Sequence, residues 1–97
     1  MMYLIIAEMN LSLLPKDPEE KMKILAPSIE MTKKDLDSGE LKMFGQSPDG
    51  QIAFAVSVQD PKTIYTKALI LAPYAKIKVK PMLSMDELVD AMKKMQT

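Results

Sequence analysis

The first part of the chain begins with a continuous apolar run and continues with apolar residues at helical spacing. Tyr3 to Met9 is predicted to be a strand because it is short, apolar and partly β-branched. A helix follows between an N-cap at Asp17 and Gly39, a residue type that readily adopts the left-handed conformation found after helix ends. Pro27 is expected to bend or break this helix in the preceding turn, because proline donates no backbone hydrogen bond. The predicted buried face of the helix comprises Met22, Leu25, Ala26, Ile29 and Leu36.

Two further strands are predicted on either side of a turn. The strands Glu40 to Gln46 and Gln51 to Gln59 flank Ser47-Pro48-Asp49-Gly50, which is typical of a tight turn, so they are expected to form a hairpin. In the second of these strands large residues alternate with small or polar ones at the strand period, and the large set is predicted to face the helices. The large set is Ile52, Phe54, Val56 and Val58, and the small set, predicted to face the open side, includes Ala53, Ala55 and Ser57.

The last third of the chain predicts a second helix, a fourth strand and a terminal helix. Asp60 is expected to cap the second helix, which runs to about Leu71. Lys76 to Pro81 alternates lysine with Ile77 and Val79, so the lysines are predicted to share the open face of the sheet. A capping box of Ser84 and Glu87 starts an amphipathic terminal helix with Met85, Leu88, Val89, Met92 and Met95 on its apolar side.

The order β-α-β-β-α-β plus a helix is the ferredoxin-like pattern, and it predicts one α+β domain over residues 1–97. Two helices cover one face of such a sheet and leave the other face bare. The first strand places either its odd-numbered residues or Leu4, Ile6 and Glu8 on the bare face, and both sets contain large apolar side chains. Two copies that meet face to face would cover this patch, so a homodimer or higher homo-oligomer is expected. The terminal helix is the alternative cover.

Composition narrows the chemistry that this chain can perform. The sequence contains no Cys, His, Arg or Trp, which removes thiolate and imidazole ligands and the usual proton shuttle at neutral pH. We therefore predict no metal and no cofactor, and any acid or base must be Asp, Glu, Lys or Tyr. Thirteen basic and 13 acidic residues balance, so no overall positive field favours nucleic acid or an anionic membrane.

Several function classes and locations are disfavoured by the sequence. An RNA-binding sheet needs exposed aromatic side chains, whereas Phe54 is assigned to the helix face. A Cys-x-x-Cys metal loop is absent, and three glycines form no phosphate loop. Met2 to Leu14 lacks the charged start and cleavage site of a signal peptide, and no apolar run is long enough to span a membrane. A cytoplasmic location is expected.

Most of the chain, from residue 2 to about residue 83, resembles a known enzyme family. Leu69-Ile70-Leu71-Ala72-Pro73-Tyr74, followed by the stretch from Ile77 to Leu83, is similar to the corresponding part of muconolactone isomerases, which are dimeric α+β barrels. Leu36-Asp37-Ser38-Gly39 and Val58-Gln59-Asp60 fit the same pattern. The run from Glu30 to Lys42 also resembles a group of uncharacterised small bacterial and archaeal proteins with this barrel. The resemblance implies a barrel formed by two sheets. These motifs are helix ends, turns and strand ends, so no catalytic residue of the family is carried over.

Five residues are candidates for a functional site. Glu8 is the predicted catalytic residue, because a carboxylate buried in an apolar strand has a raised pKa and can act as a base. Tyr3, Ser57, Tyr74 and Lys78 are predicted ligand contacts through hydroxyl and ammonium groups. Four of the five have a structural alternative: a solvated or lysine-paired Glu8, a small inward Ser57, a Tyr74 packed at the helix end, and a Lys78 that discourages wrong strand pairing or bridges to Glu40 across a subunit interface.

The sequence therefore supports two functional hypotheses. The first is a small organic ligand, such as an organic acid or lactone, bound in the cavity of a dimeric barrel, with isomerase-like proton transfer as one form of it. The second is a non-catalytic oligomerisation or protein-interaction module with a dry interface.

Overall fold

The computed structural model describes residues 1–96 and consists of a four-stranded antiparallel sheet with three helices. The strand order is β2-β3-β1-β4, so β1 and β3 are central. This order is compatible with a ferredoxin-like fold, and the predicted α+β class is confirmed. The elements are β1 (Met2–Met9), α1 (Pro18–Ser38), β2 (Leu41–Gln46), β3 (Ile52–Ser57), α2 (Pro61–Ala68), β4 (Ala75–Met82) and α3 (Met85–Met95), with a short 3-10 helix at Leu11–Leu13.

The helices begin where local side chains satisfy free backbone N–H groups. Asp17 accepts a hydrogen bond from the Glu20 backbone at 3.3 Å, and Asp60 accepts one from the Thr63 backbone at 2.8 Å. Such bonds form within one turn of chain, so sequence alone can predict them. Gly39 ends α1 with φ of 82°, a conformation that costs glycine little.

The interior and the end of the helices differ from the sequence prediction at two places. α1 is continuous across Pro27, so the predicted break does not occur. The fixed φ of proline is itself helical, and its cost is confined to the missing bond and local crowding. α2 ends at Ala68 rather than near Leu71, and consecutive turns continue to Tyr74.

The face assignment predicted for β3 was wrong. Ala55 is 9% exposed and Ser57 is fully buried, whereas Ile52 remains 50% exposed. The small residues of β3 therefore face α1 and α2, and its large residues point to the bare side. Small side chains let the helices approach the sheet closely. The alternation along a strand separates its residues into two faces, but it does not show which face the helices cover.

The register settles the question left open for β1. Ile5 pairs with Ala55 and Ala7 with Ala53, so the odd-numbered residues of β1 share the helix side. Leu4, Ile6 and Glu8 consequently lie on the other side, beside the β4 lysines that the alternation predicted there. We call this surface the open face; it comprises Leu4, Ile6, Glu8, Met43, Ile52, Phe54, Val56, Lys76, Lys78 and Lys80.

The single chain buries few apolar side chains within residues 1–96. The buried hydrophobic residues are Leu14, Leu41, Ala55 and Ile64. On α1, Met22, Ile29 and Leu36 of the predicted buried face are 54%, 56% and 39% exposed. No residue of α3 is buried, and the molecule is elongated, measuring 60 × 26 × 24 Å. Much apolar surface thus remains available to a partner.

Candidate functional site

Glu8 lies near the end of the central strand β1, on the open face. Its neighbours across the sheet are Ile52 on β3 and Lys76 on β4. The side chain is exposed in the single chain, and it forms no ion pair within residues 1–96. The burial on which its role as a base depends therefore requires a cover over the open face.

Three lysines form a row next to Glu8. Lys76, Lys78 and Lys80 lie opposite Glu8, Ile6 and Leu4 respectively. All three are exposed, and alternation along β4 places their side chains on the same face. The open face thus combines an apolar centre with one carboxylate and three ammonium groups along one side.

Tyr74 meets Glu8 at one end of the sheet. Both residues line a wide groove of about 680 Å³, together with Lys76 and Gln51. The backbone there is fixed, since the Asn10 N–H donates to the carbonyl of Tyr74 at 2.8 Å. The fold therefore brings Glu8 and Tyr74 to one groove, with Lys78 one residue pair further along the open face.

Ser57 and Tyr3 lie on the opposite side of the sheet from Glu8. They pair across β1 and β3, and Ser57 is fully buried. Its hydroxyl donates to the Glu40 carbonyl at 3.5 Å and accepts from the Gln59 backbone N–H at 3.0 Å, so it stabilises the start of the hairpin. Tyr3 lines a separate groove of about 440 Å³ beside Tyr65. These two predicted contacts cannot share a site with Glu8 in one chain.

A buried ion pair was missed by the sequence analysis. Both carboxylate oxygens of Asp35 accept from Lys67 Nζ, at 3.0 and 2.8 Å, and Asp35 is only 6% exposed. The pair joins α1 to α2 beside an apolar cavity of about 120 Å³ between the helices and the sheet. The sequence contains a pattern that could have indicated this pair: Asp35 follows Ser28 and Met31 at helical spacing, which places all three on the inner side of α1. Mutual neutralisation makes this pair a structural link between the helices.

Phe54 lies on the opposite face of the sheet from the one that the sequence predicts. It points to the open side, since it pairs with Ile6 of β1 and packs over Gly45 of β2. The sequence-based argument against an RNA-binding sheet, which places Phe54 on the helix face, is therefore wrong. A different observation disfavours that function: Phe54 is the single aromatic residue on the open face, where RNA-binding sheets stack several bases.

Other site types find no support in the described part of the chain. Residues 1–96 contain no group of three or more acidic side chains placed to hold a metal ion. Over the same residues, no helix is both long and apolar enough to cross a membrane.

No family model matches this chain, and no curated protein does either. The candidate site is therefore argued from its own geometry.

Proposed function

We propose that the chain acts as a homodimer in which the open face, covered by a second copy, binds a small organic anion. The main support is the composition of that face. It presents large apolar side chains, including Ile52 at 50% exposure and Phe54 at 39%, next to one carboxylate and three lysines. On such a surface the apolar side chains can contact the hydrocarbon part of a ligand, and the lysines can attract its carboxylate or enolate.

Glu8 takes the role of the proton-accepting group in this proposal. A covering subunit would remove water from its surroundings, and desolvation favours proton uptake by a carboxylate. Lys76 and Lys78 lie close enough along the sheet to attract the negative charge that forms when a carbon next to a carbonyl loses a proton. The resemblance to muconolactone isomerases supports the barrel alone, because it lies in helix ends, turns and strand ends; the class of reaction rests on the side chains of the open face.

The proposal is tested by carbon-bound proton exchange. Wild-type protein and the Glu8→Gln variant are incubated in heavy water with muconolactone and with short-chain dicarboxylates, and deuterium uptake next to the carbonyl is measured by NMR. Loss of a general base lowers a rate by about 10²–10⁴-fold. Glu30→Gln, an exposed carboxylate of α1, is the matched control and should retain the wild-type rate.

Oligomeric state and ligand contacts provide the second part of the test. Light scattering should give a dimer at micromolar concentration, and the carboxylates should shift the amide signals of β1 and β4. A monomer, or a dimer whose open-face signals do not respond to any of these compounds, contradicts the proposal.

The second candidate is an oligomerisation module without a ligand. The exposed apolar side of α3 favours it, because Leu88, Val89 and Met92 remain 42%, 40% and 53% exposed. A dimer with a dry interface and no proton exchange would support this function.

A further inference from the structure

We infer that α3 of each copy packs against the open face of the second copy and forms one wall of the proposed site. This inference rests on the homodimer proposed above. It specifies that α3 is the element that covers the open face, and that acidic residues of α3 lie near lysines of the open face.

α3 has the properties of a helix that needs a partner. Its start is well fixed, since the Glu87 backbone donates to Ser84 Oγ at 3.1 Å and the Ser84 backbone donates to Glu87 Oε1 at 3.0 Å. It has 11 residues, a length at which an isolated helix is marginal in water. Its apolar side nevertheless stays exposed, with Met85 at 71%, Met92 at 53% and Met95 at 87%. Packing against another surface would supply the missing stabilisation.

The geometry points to another molecule as the partner. Only Leu83 and Ser84 connect β4 to α3, and the capping box uses Ser84. No residue of α3 is buried among residues 1–96, and the molecule is elongated, with a longest dimension of 60 Å against 26 and 24 Å for the others. A helix on a short, fixed connection whose apolar side is exposed is available to a second copy.

Charge complementarity selects the open face as the receiving surface. The first half of α3 contains the acidic residues Asp86, Glu87 and Asp90 and no basic residue. The open face has its lysine row along β4. Opposite charges on two surfaces favour their encounter and fix their relative orientation. The acidic half of α3 is therefore placed toward the Lys80 end of the lysine row, and its apolar side over Leu4, Ile6 and Phe54; this arrangement leaves Lys76 and Lys78 for the ligand beside Glu8.

The two helices supply more than half of the contact area that a specific dimer needs. A helix of 11 residues is about 16 Å long and about 10 Å wide, which covers roughly two strands of a sheet. Two-fold symmetry provides two helices and two sheet surfaces, which together bury about 600 Å². A specific interface buries at least about 1,000 Å², so the parts of the open face beside the helices contribute the rest. Part of β3 and the groove at Glu8 lie in that remaining area, where the second copy closes over the sheet and leaves room for a small ligand.

Cross-linking between two different variants tests the arrangement, because the chain contains no cysteine of its own. Met92→Cys protein is mixed with Ile6→Cys protein under oxidising conditions, and a disulfide between them can form only in trans. A strong heterodimer band is expected. Ile29→Cys, placed on the exposed outer side of α1, is the matched control and should cross-link weakly with Met92→Cys. The inference is overturned if Ile29→Cys gives the stronger band.

A second measurement separates this inference from the proposed function. Leu88→Lys in the full chain should weaken dimerisation by about tenfold or more, whereas Ile29→Lys should leave it unchanged. Far-UV circular dichroism and cooperative unfolding check that both variants fold. If Leu88→Lys dimerises and exchanges protons as the wild type does, the role of α3 is wrong and the proposed function stands. If the wild type is a monomer, both are wrong.

Discussion

Replacing Asp35 by asparagine is the sharpest test of how the helices are held together. The substitution keeps the size of the side chain and removes the charge that faces Lys67. Two contacts of 3.0 and 2.8 Å are changed, in a place where Asp35 is only 6% exposed. The ammonium group of Lys67 then keeps one neutral acceptor and loses the opposite charge and the second acceptor.

The expected loss follows from the burial of the two partners. A hydrogen bond to a charged group contributes about 1.5–3 kcal/mol, and breaking a fully buried pair costs about 3–5 kcal/mol. The Lys67 side chain is 27% exposed, and Glu40 lies 3.6 Å from its Nζ, so part of its charge stays solvated or paired. We therefore expect a loss of about 2 kcal/mol in the free energy of unfolding. This corresponds to a fall in Tm of about 8–16 °C for a domain of this size.

Urea unfolding at one fixed protein concentration measures this loss. Asp37→Asn is the matched control, because Asp37 lies two residues away on the same helix and is exposed. The reasoning fails if Asp35→Asn and Asp37→Asn differ by less than about 0.5 kcal/mol, the usual scatter of surface substitutions. Adding Lys67→Met to Asp35→Asn should cost less than the sum of the two single changes, because the second change removes the orphaned charge.

Two further predictions follow from local geometry. Gly45→Ala should destabilise the fold by about 1–3 kcal/mol, because the added Cβ would lie 2.8 Å from Cζ of Phe54. Equilibrium unfolding measures this loss of stability. A second substitution, Phe54→Leu, should relieve most of the loss. Hydrogen bonds from the Ser84 backbone and hydroxyl lower the pKa of Glu87 from its ordinary value of 4.5. The stabilisation of α3 by the ionised form is therefore complete above pH 4.5 and is lost as the pH falls through the lowered value. Backbone chemical shifts of α3 should report this loss, and a Glu87→Gln variant with the same acid response would contradict it.

The parts of the fold that sequence predicts are those decided within a few residues. The caps at Asp17, Asp60 and Ser84 each use a bond to a backbone N–H three residues ahead, so the pattern alone identifies them. The faces of β3 depend instead on distant chain segments. Ala55 is inside because α1 and α2 lie on its side, and Phe54 is outside although it is larger.

The candidate site shows the same division. The lysine row was predicted because alternation places every second side chain of β4 on one face. Glu8 is predicted as the catalytic residue because it is a carboxylate in an apolar strand, and in the single chain its side chain is exposed. Ser57 and Tyr3 were grouped with it because the face of β3 was reversed and that of β1 was open. The reversed face of β3 therefore put Ser57 on the side of Glu8, and the undecided face of β1 left Tyr3 available to either side.

The small residues beneath the helices have a mechanical consequence. Ala7, Ala53 and Ala55 leave a space of about 120 Å³ under α1 and α2, with the Asp35–Lys67 pair at its side. This space is partly open to solvent, so only the part of it that excludes water is lost as empty volume on unfolding, and hydrostatic pressure acts against that part. Compression is expected to drive water into this space and to loosen the helices first, while the strand pairing behind the open face persists. The helix side of the sheet would then yield at a lower pressure than the strand pairing itself.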